Sequence, residues 1–220
     1  MLRSFKALYG FAIRATDGRI GRVRDVYFDD RNWRVRYCVV DSDRWFAEHV
    51  LVGPRSLSVS DTVRRELWVR LSKAEVKRGR SANSDQPVSK QRHAGVMASL
   101  RRLSPWTAAG RSGPPAAPPD THLRSCKAVI GHQLEAVDGV IGRVDDLLID
   151  DKAWIVRQLV IDPGHDNVPA AARVLVELKC VDGISWPDAR VSVGLTRVDV
   201  LSAPRYEPVS AATALPLLPM

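Results

Sequence analysis

Residues that form covalent or metal cross-links are scarce in this sequence. It contains 3 cysteines among 220 residues, and Cys38, Cys126 and Cys180 form no C-x-x-C pair. An odd number of cysteines at long spacings encodes neither a disulfide framework nor a zinc site. We therefore expect a protein of a reducing compartment in which a cysteine such as Cys126 acts as a small hydrophobic residue.

Long apolar runs are missing as well. No stretch approaches the roughly 18 to 20 apolar residues that cross a bilayer, and the first residues lack the apolar segment of a signal peptide. With 45% apolar and 26% charged residues, the composition is that of a globular chain. We expect a soluble, cytoplasmic protein of one large domain or two small ones.

The sequence also lacks the common catalytic and nucleotide-binding strings. GxSxG, HExxH, GxxxxGK and GxGxxG do not occur, and these strings build nucleophile, metal and phosphate sites. The histidines do not stand at metal-ligand spacing, and each is predicted to be a surface residue. They are His49, His93, His122, His132 and His165. We expect no catalytic residue, no metal, no cofactor and no enzymatic activity.

Positive charge, by contrast, is concentrated in part of the chain. The net charge of +8 divides into +6 for residues 1–77, +5 for 78–121 and −3 for 122–220. A site for an acidic partner would therefore lie in the first part or the middle. The alternatives are a solvated basic surface and a nucleic-acid site. The residues that we predict to make such contacts are Arg22, Arg24, Arg92, Arg101, Arg102 and Trp106.

An internal repeat organises the chain. Three motifs occur twice, at an offset of 121 residues between Gly18 and Gly139. They are Leu2-Arg3-Ser4 with Leu123-Arg124-Ser125, Asp17-Gly18-x-Ile20-Gly21 with Asp138-Gly139-x-Ile141-Gly142, and Asp29-Asp30-x-x-Trp33 with Asp150-Asp151-x-x-Trp154. The repeat predicts a first domain over 1–77, a linker over 78–121, a second domain over 122–208 and a flexible tail over 209–220.

Local patterns within each copy are typical of short antiparallel strands. Asp-Gly turns predict hairpins of 11–15 with 20–28 and of 132–136 with 141–149. Gly21 and Gly142 fall inside strands, where glycine marks a bulge that curls a sheet. We expect a closed or nearly closed sheet in each copy.

The third strand and the end of each copy carry further signals. In residues 35–41, Val35, Tyr37 and Val39 are expected on one face, and Cys38 and Val40 on the other. Apolar residues on both faces predict that a helix, the other copy or a second chain covers the outer face. Ser72-x-x-Glu75 and Thr196-x-x-Asp199 are typical of helix starts.

The repeated motifs resemble those of the PRC-barrel family, whose domains occur in the photosynthetic reaction centre H subunit and in a ribosome maturation factor. The resemblance covers both copies and is closest to bacterial proteins with two tandem barrels. It includes the ending Ala203-Pro204-Arg205-Tyr206-Glu207-Pro208 and the linker stretch 87–93. It implies a mainly β protein of two small barrels, each closing with a short helix and joined by a partly disordered linker.

The repeated polar and aromatic residues are expected to have structural roles. Asp29-Asp30 and Asp150-Asp151 are interpreted as turn-capping pairs, and Asp25 and Asp146 as ion-pair partners of Arg36 and Arg157. Trp33 and Trp154 would close a barrel end or, alternatively, anchor an interface. The complete set of motif residues is Gly18, Gly21, Asp29, Trp33, Arg36, Asp41, Gly139, Gly142, Asp150, Trp154, Arg157 and Asp162.

The linker stretch 88–103 has the pattern of a basic amphipathic helix. Three alternatives stay open for it: a helix resting on a barrel, a helix for a partner or a membrane surface, and disorder.

Together these observations favour a non-enzymatic adaptor that binds a protein partner, with homodimerisation and peripheral membrane contact as further possibilities. An RNA- or ribosome-associated factor and an accessory protein of a photosynthetic membrane complex are the alternatives. Both alternatives rest on the family resemblance.

Overall fold

The computed structural model describes residues 1–42, 49–61, 63–78, 122–164 and 172–208. The predicted linker helix, the tail over 209–220 and the predicted contact residues Arg92, Arg101, Arg102 and Trp106 lie outside the described residues.

Each copy of the repeat forms a module of short strands and two short helices. The first module contains β1 (Leu2–Ser4), α1 (Phe5–Leu8), β2 (Ala12–Ala15), β3 (Gly18–Asp29), β4 (Val35–Ser42), β5 (Val50–Val52), β6 (Leu57–Asp61), β7 (Glu66–Val69) and α2 (Lys73–Arg78). The second contains β8 (Leu123–Ser125), α3 (Cys126–Val129), β9 (Gln133–Ala136), β10 (Gly139–Asp150), β11 (Ile155–Asp162), β12 (Val174–Glu177), β13 (Val181–Ser185), β14 (Arg190–Val193) and α4 (Arg197–Leu201).

The strands form two sheets of seven strands with the same topology. One has the order β5-β4-β3-β2-β7-β6 and the other the order β12-β11-β10-β9-β14-β13, each with one further strand. The pairs β2–β7 and β9–β14 are parallel. The chain is therefore mainly β, as predicted. Within the described residues no pairing joins β5 to β6 or β12 to β13, so closure into barrels is not confirmed.

The seventh strand of each sheet comes from the other module. β1 pairs with β10 of the second module, and β8 pairs with β3 of the first. The two modules thus exchange their opening strands. Buried residues of both modules also belong to one continuous apolar cluster.

The predicted hairpins and bulges are present. β2 pairs with β3 through Ala15 and Gly18, and Gly18 has a φ of +126°. In the second module the pairing of β9 with β10 shifts between Val140 and Arg143, and Gly142 in that bulge has a φ of +74°. A positive φ favours glycine, which lacks the Cβ that would clash there.

The two faces of β4 differ from the expectation. Val35 lies in the main core with Cys38, whereas Val39 lies in a second cluster with Leu123 from the other module. Val35 changes face because the register between β3 and β4 shifts beside Arg36, and an extra residue reverses the alternation of side chains. The outer face of β4 is thus covered by the opening strand of the other module, one of the three predicted alternatives.

We expect Gly142→Ala to destabilise the protein strongly. A Cβ at this position would lie 2.1 Å from the carbonyl oxygen of Asp162 and 2.6 Å from Cα of Pro163. The clash and the left-handed backbone together should lower the free energy of unfolding by about 2–5 kcal/mol. Urea titration measures this change. The control is Gly183→Ala, where a Cβ meets nothing within 4 Å; an equal loss in both variants would contradict the prediction.

Candidate interaction site

The junction of the two modules is built by the repeated Leu-Arg-Ser motif. Ser125 caps α3 by accepting a hydrogen bond from the Ala128 amide at 3.0 Å, and its hydroxyl donates to Asp25 of the first module at 2.5 Å. Asp25 also accepts the amide hydrogens of Lys127 at 3.1 Å and Val26 at 2.8 Å. A buried carboxylate needs such donors to offset its lost hydration.

The same arrangement recurs at the other end of the junction. Ser4 caps α1 and donates to Asp146, whose carboxylate accepts the amides of Lys6 at 3.2 Å and Leu147 at 2.8 Å. Burial raises the pKa of Asp146 above its ordinary value, although these hydrogen bonds oppose the shift. An aspartate of each module therefore accepts a first-turn amide of the other module's opening helix.

The arginine of the motif forms a second link between the modules. Arg124 donates to Asp30, and Arg3 donates to Asp151. His122 also lies 3.0 Å from Asp30. The side chains of the two arginines and the two aspartates are largely withdrawn from solvent, which strengthens the charge attraction within such pairs relative to exposed ones.

The roles predicted for the aspartates are confirmed in part. Asp29 and Asp150 cap their turns, accepting the amides of Arg31 at 3.1 Å and Lys152 at 3.0 Å. The predicted pairing of Asp25 with Arg36 is wrong, because the carboxylate of Asp25 is occupied by the donors at the junction described above.

Arg36 of β4 and Arg157 of β11 pair instead with the aspartates that cap the two turns. Arg36 lies 3.8 Å from Asp29, and Arg157 lies 3.4 Å from Asp150. The predicted pairing of Asp146 with Arg157 is therefore also wrong. Both arginines stand beside a register shift of their strand, which changes the direction in which their side chains project.

Trp33 and Trp154 lie where the two turns meet. The carbonyl of Trp33 accepts the Val156 amide at 2.9 Å, and that of Trp154 accepts the Val35 amide at 2.8 Å. Both tryptophans have a positive φ, 59° and 51°, which is unfavourable for a bulky residue. Trp154 is buried and Trp33 is half-buried, so they contribute to the contact between modules rather than to an exposed anchor.

The buried titratable groups have structural surroundings. Burial raises the pKa of the Cys38 thiol to about 12 and that of Cys126 well above its ordinary value, with the Asp25 charge acting in the same direction. A thiol with a raised pKa is a poor nucleophile. His132 is only 5% exposed and packs edge-on against Trp186, so the prediction that it is a surface residue is wrong. Its burial and the charge of Arg124 lower its pKa.

Basic side chains surround one half-buried tyrosine on the first module. Arg24 donates to the Tyr9 hydroxyl at 2.7 Å, and Lys127 Nζ lies 5.7 Å from the centre of the ring. Arg65 donates to the Tyr9 carbonyl at 3.3 Å and lies over the ring of Phe11. We name Tyr9, Arg24, Arg65 and Lys127 the Tyr9 cluster. Its three cations are exposed.

Two other basic residues of this module, Arg14 and Arg22, have acidic neighbours. Arg22 lies across from Asp41 in the pairing of β3 with β4. Arg14 lies 2.7 Å from Glu66 and covers the ring of Trp68, which is 42% exposed. In the Tyr9 cluster, by contrast, Arg24, Arg65 and Lys127 have no carboxylate partner among the described residues.

The sequence prediction of this site was incomplete. Of the predicted contact residues, Arg22 and Arg24 are described and exposed, and only Arg24 belongs to the cluster. Tyr9, Arg65 and Lys127 were missed because they lie on two separate turns and a helix. A comparison of the two copies could have found them, since the repeat changes charge at Arg24.

The described residues contain no group of three or more His, Cys, Asp and Glu residues that could hold a metal ion. No helix among them has the length and apolar character to span a membrane.

We expect Asp25→Ala to destabilise the protein by about 2–4 kcal/mol, because the junction would keep buried donors without an acceptor. Asp41→Ala is the control, since Asp41 is exposed and 3.6 Å from its nearest basic partner, His49; it should change stability by less than about 0.5 kcal/mol. Urea unfolding of the two variants measures the difference, and equal stabilities would argue against the junction.

Acid should weaken the link between Arg3 and Asp151. Burial alone would raise the pKa of Asp151, but the Arg3 hydrogen bond and the N-terminal ammonium outweigh it and lower the pKa. The resulting stabilisation is present above the unfolded pKa of about 3.9 and is lost as pH falls through the folded pKa. Asp146, with its raised pKa, has the opposite pH dependence.

Arg3→Met should therefore lower the free energy of unfolding by about 1 kcal/mol at pH 7, and this deficit should shrink as the pH falls below the unfolded pKa of about 3.9. Arg64→Met is the control because the Arg64–Asp61 pair is exposed. Urea titrations across the pH range test this, and a deficit of constant size would contradict the assignment.

A scan against protein-family models found no match to this chain. A search of curated proteins found no match either.

Proposed function

We propose that the chain is a non-enzymatic adaptor of the PRC-barrel type that binds a protein partner through the exposed basic surface of its first module. In this proposal each bent sheet, with its terminal helix, is one barrel of a tandem pair. The repeated motifs, the glycine bulges and the short helices support this family assignment.

The hydrogen bonds and the buried titratable groups of the junction favour a scaffold rather than a reaction centre. The buried carboxylates of Asp25 and Asp146 are occupied by hydroxyl and amide donors. The buried thiols have raised pKa values. Groups held in this way stabilise the packing of the modules, and they are not poised to transfer protons or attack a substrate.

The observation that carries the proposal is the Tyr9 cluster. A guanidinium or ammonium group without a carboxylate partner keeps its full attraction for an external anion, and exposure makes that attraction available to a partner. Binding of a macromolecule then needs no movement of the modules, because the exchanged strands fix Lys127 of the second module beside Tyr9 of the first.

We expect the immobilised full chain to retain a specific protein partner at about 150 mM salt, where exposed charges are screened beyond about 8 Å. The control bait is an unrelated protein with the same net charge of +8. Identical recoveries from the two baits would overturn the adaptor. In a parallel titration we expect the chain to bind RNA weakly. Tight RNA binding with an affinity that falls steeply with salt would favour the RNA-associated alternative.

A further inference from the structure

The second module provides an internal reference for the Tyr9 cluster. The repeat and the exchanged strands place a counterpart at each of its four positions. The pairs are Tyr9 with Ile130, Arg24 with Asp145, Arg65 with Ala189, and Lys127 with Lys6. Only the lysine is kept, so the chemistry of the site differs while its backbone is shared.

The backbone at Arg65 and Ala189 shows how closely the two sites correspond. Arg65 has a φ of 53° and Ala189 a φ of 49°. Their carbonyls accept the amides of Ala12 and Gln133, both at 2.9 Å. The fold thus accepts a methyl group where the first module carries a guanidinium, and the arginine is not needed for this turn.

The charges at the two sites are balanced differently. In the second module Asp145 lies 2.5 Å from Lys6 and 2.9 Å from Arg173, so the cations are neutralised within the chain. In the first module Arg24 replaces the aspartate beside Lys127. In the part of the chain that the structure describes, neither Arg24 nor Lys127 has a carboxylate partner.

Like charges held near one another lower stability unless an anion is present. The second module shows that an aspartate at this position would remove the repulsion without changing the fold. The chain itself offers these cations the Tyr9 hydroxyl and ring, and an external carboxylate would form stronger, charge-assisted hydrogen bonds with them.

We propose that the Tyr9 cluster is a docking site for a short acidic segment of a protein partner, with its carboxylates bound by Arg24, Arg65 and Lys127. This inference rests on the proposed adaptor function and adds the chemistry of the partner. The planar guanidinium of an arginine suits a carboxylate because it donates two parallel hydrogen bonds.

The surroundings of the cluster favour a peptide over a nucleic acid. A nucleic-acid strand needs a continuous basic path and exposed aromatic faces for its bases. The path from the cluster across the sheet meets Asp41 opposite Arg22 and Glu66 opposite Ala12. The Tyr9 ring is half-buried, and its hydroxyl accepts a hydrogen bond from Arg24. A segment with a few carboxylates fits this small site without crossing the acidic positions.

The test uses the full chain and two probes of equal charge. One is a fluorescently labelled peptide with five glutamates spaced by serines, and the other is an oligouridylate with five phosphates. Anisotropy titrations at about 50 and 150 mM salt measure both affinities. We expect the wild-type chain to bind the peptide more tightly than the oligouridylate.

The variants copy the second module. Arg24→Asp introduces the residue found at Asp145, and Arg65→Ala introduces the one found at Ala189, so both should fold. We expect Arg24→Asp to weaken peptide binding by about tenfold or more and Arg65→Ala by about threefold to tenfold. The matched control is Arg143→Asp, an exposed arginine of the second module with the same change in charge, and it should weaken binding by less than about twofold.

Three results would overturn the inference: no measurable binding of the peptide, equal losses in Arg24→Asp and Arg143→Asp, or tighter binding of the oligouridylate with the same dependence on Arg24. Repeating the partner capture with the Arg24→Asp chain separates the two proposals. If that variant keeps the partner of the wild-type chain, the adaptor stands and the docking site is wrong. If the wild-type chain captures no partner, the adaptor proposal is wrong, whatever the affinity for the peptide.

Discussion

The exchange of opening strands is the constraint on which the rest of the structure depends. Ser4 and Ser125 each cap their own helix and donate to a buried aspartate of the other module. Separation of the modules would remove the serine hydroxyl and the helix amide from each aspartate, and a buried carboxylate with too few donors is costly. The two sheets are therefore parts of one folding unit with a shared core, in which each small module obtains the burial that it lacks alone.

The exchange also brings residues of different modules to one surface. Lys127 belongs to the second module, yet its ammonium lies beside the Tyr9 ring of the first. A single module of this sequence would not contain the complete cluster. A binding surface made in this way is present only when the junction is intact, so the stability of the junction and the binding of a partner are linked.

Duplication separates what the fold requires from what it merely allows. The glycines of the hairpins and the Asp–Ser junction occur in both modules, where they have the same backbone geometry or the same partners. Arg24 and Arg65 have counterparts of opposite or no charge in the same backbone positions. Because the backbone is equivalent, the two modules differ at these positions in side-chain chemistry. The arginine side chains are exposed and do not belong to the core.

The sequence by itself determined the features that depend on near neighbours in the chain: the hairpin at Gly18, the bulge at Gly142 and the helix cap at Thr196. Only the tertiary structure decided the partner of Asp25, the face of Val35 and the membership of the Tyr9 cluster. The reason is physical. β1 and β8 carry the same motif, so local preferences are equally satisfied whichever module they pair with, and contacts between residues 100 positions apart settle the choice through packing.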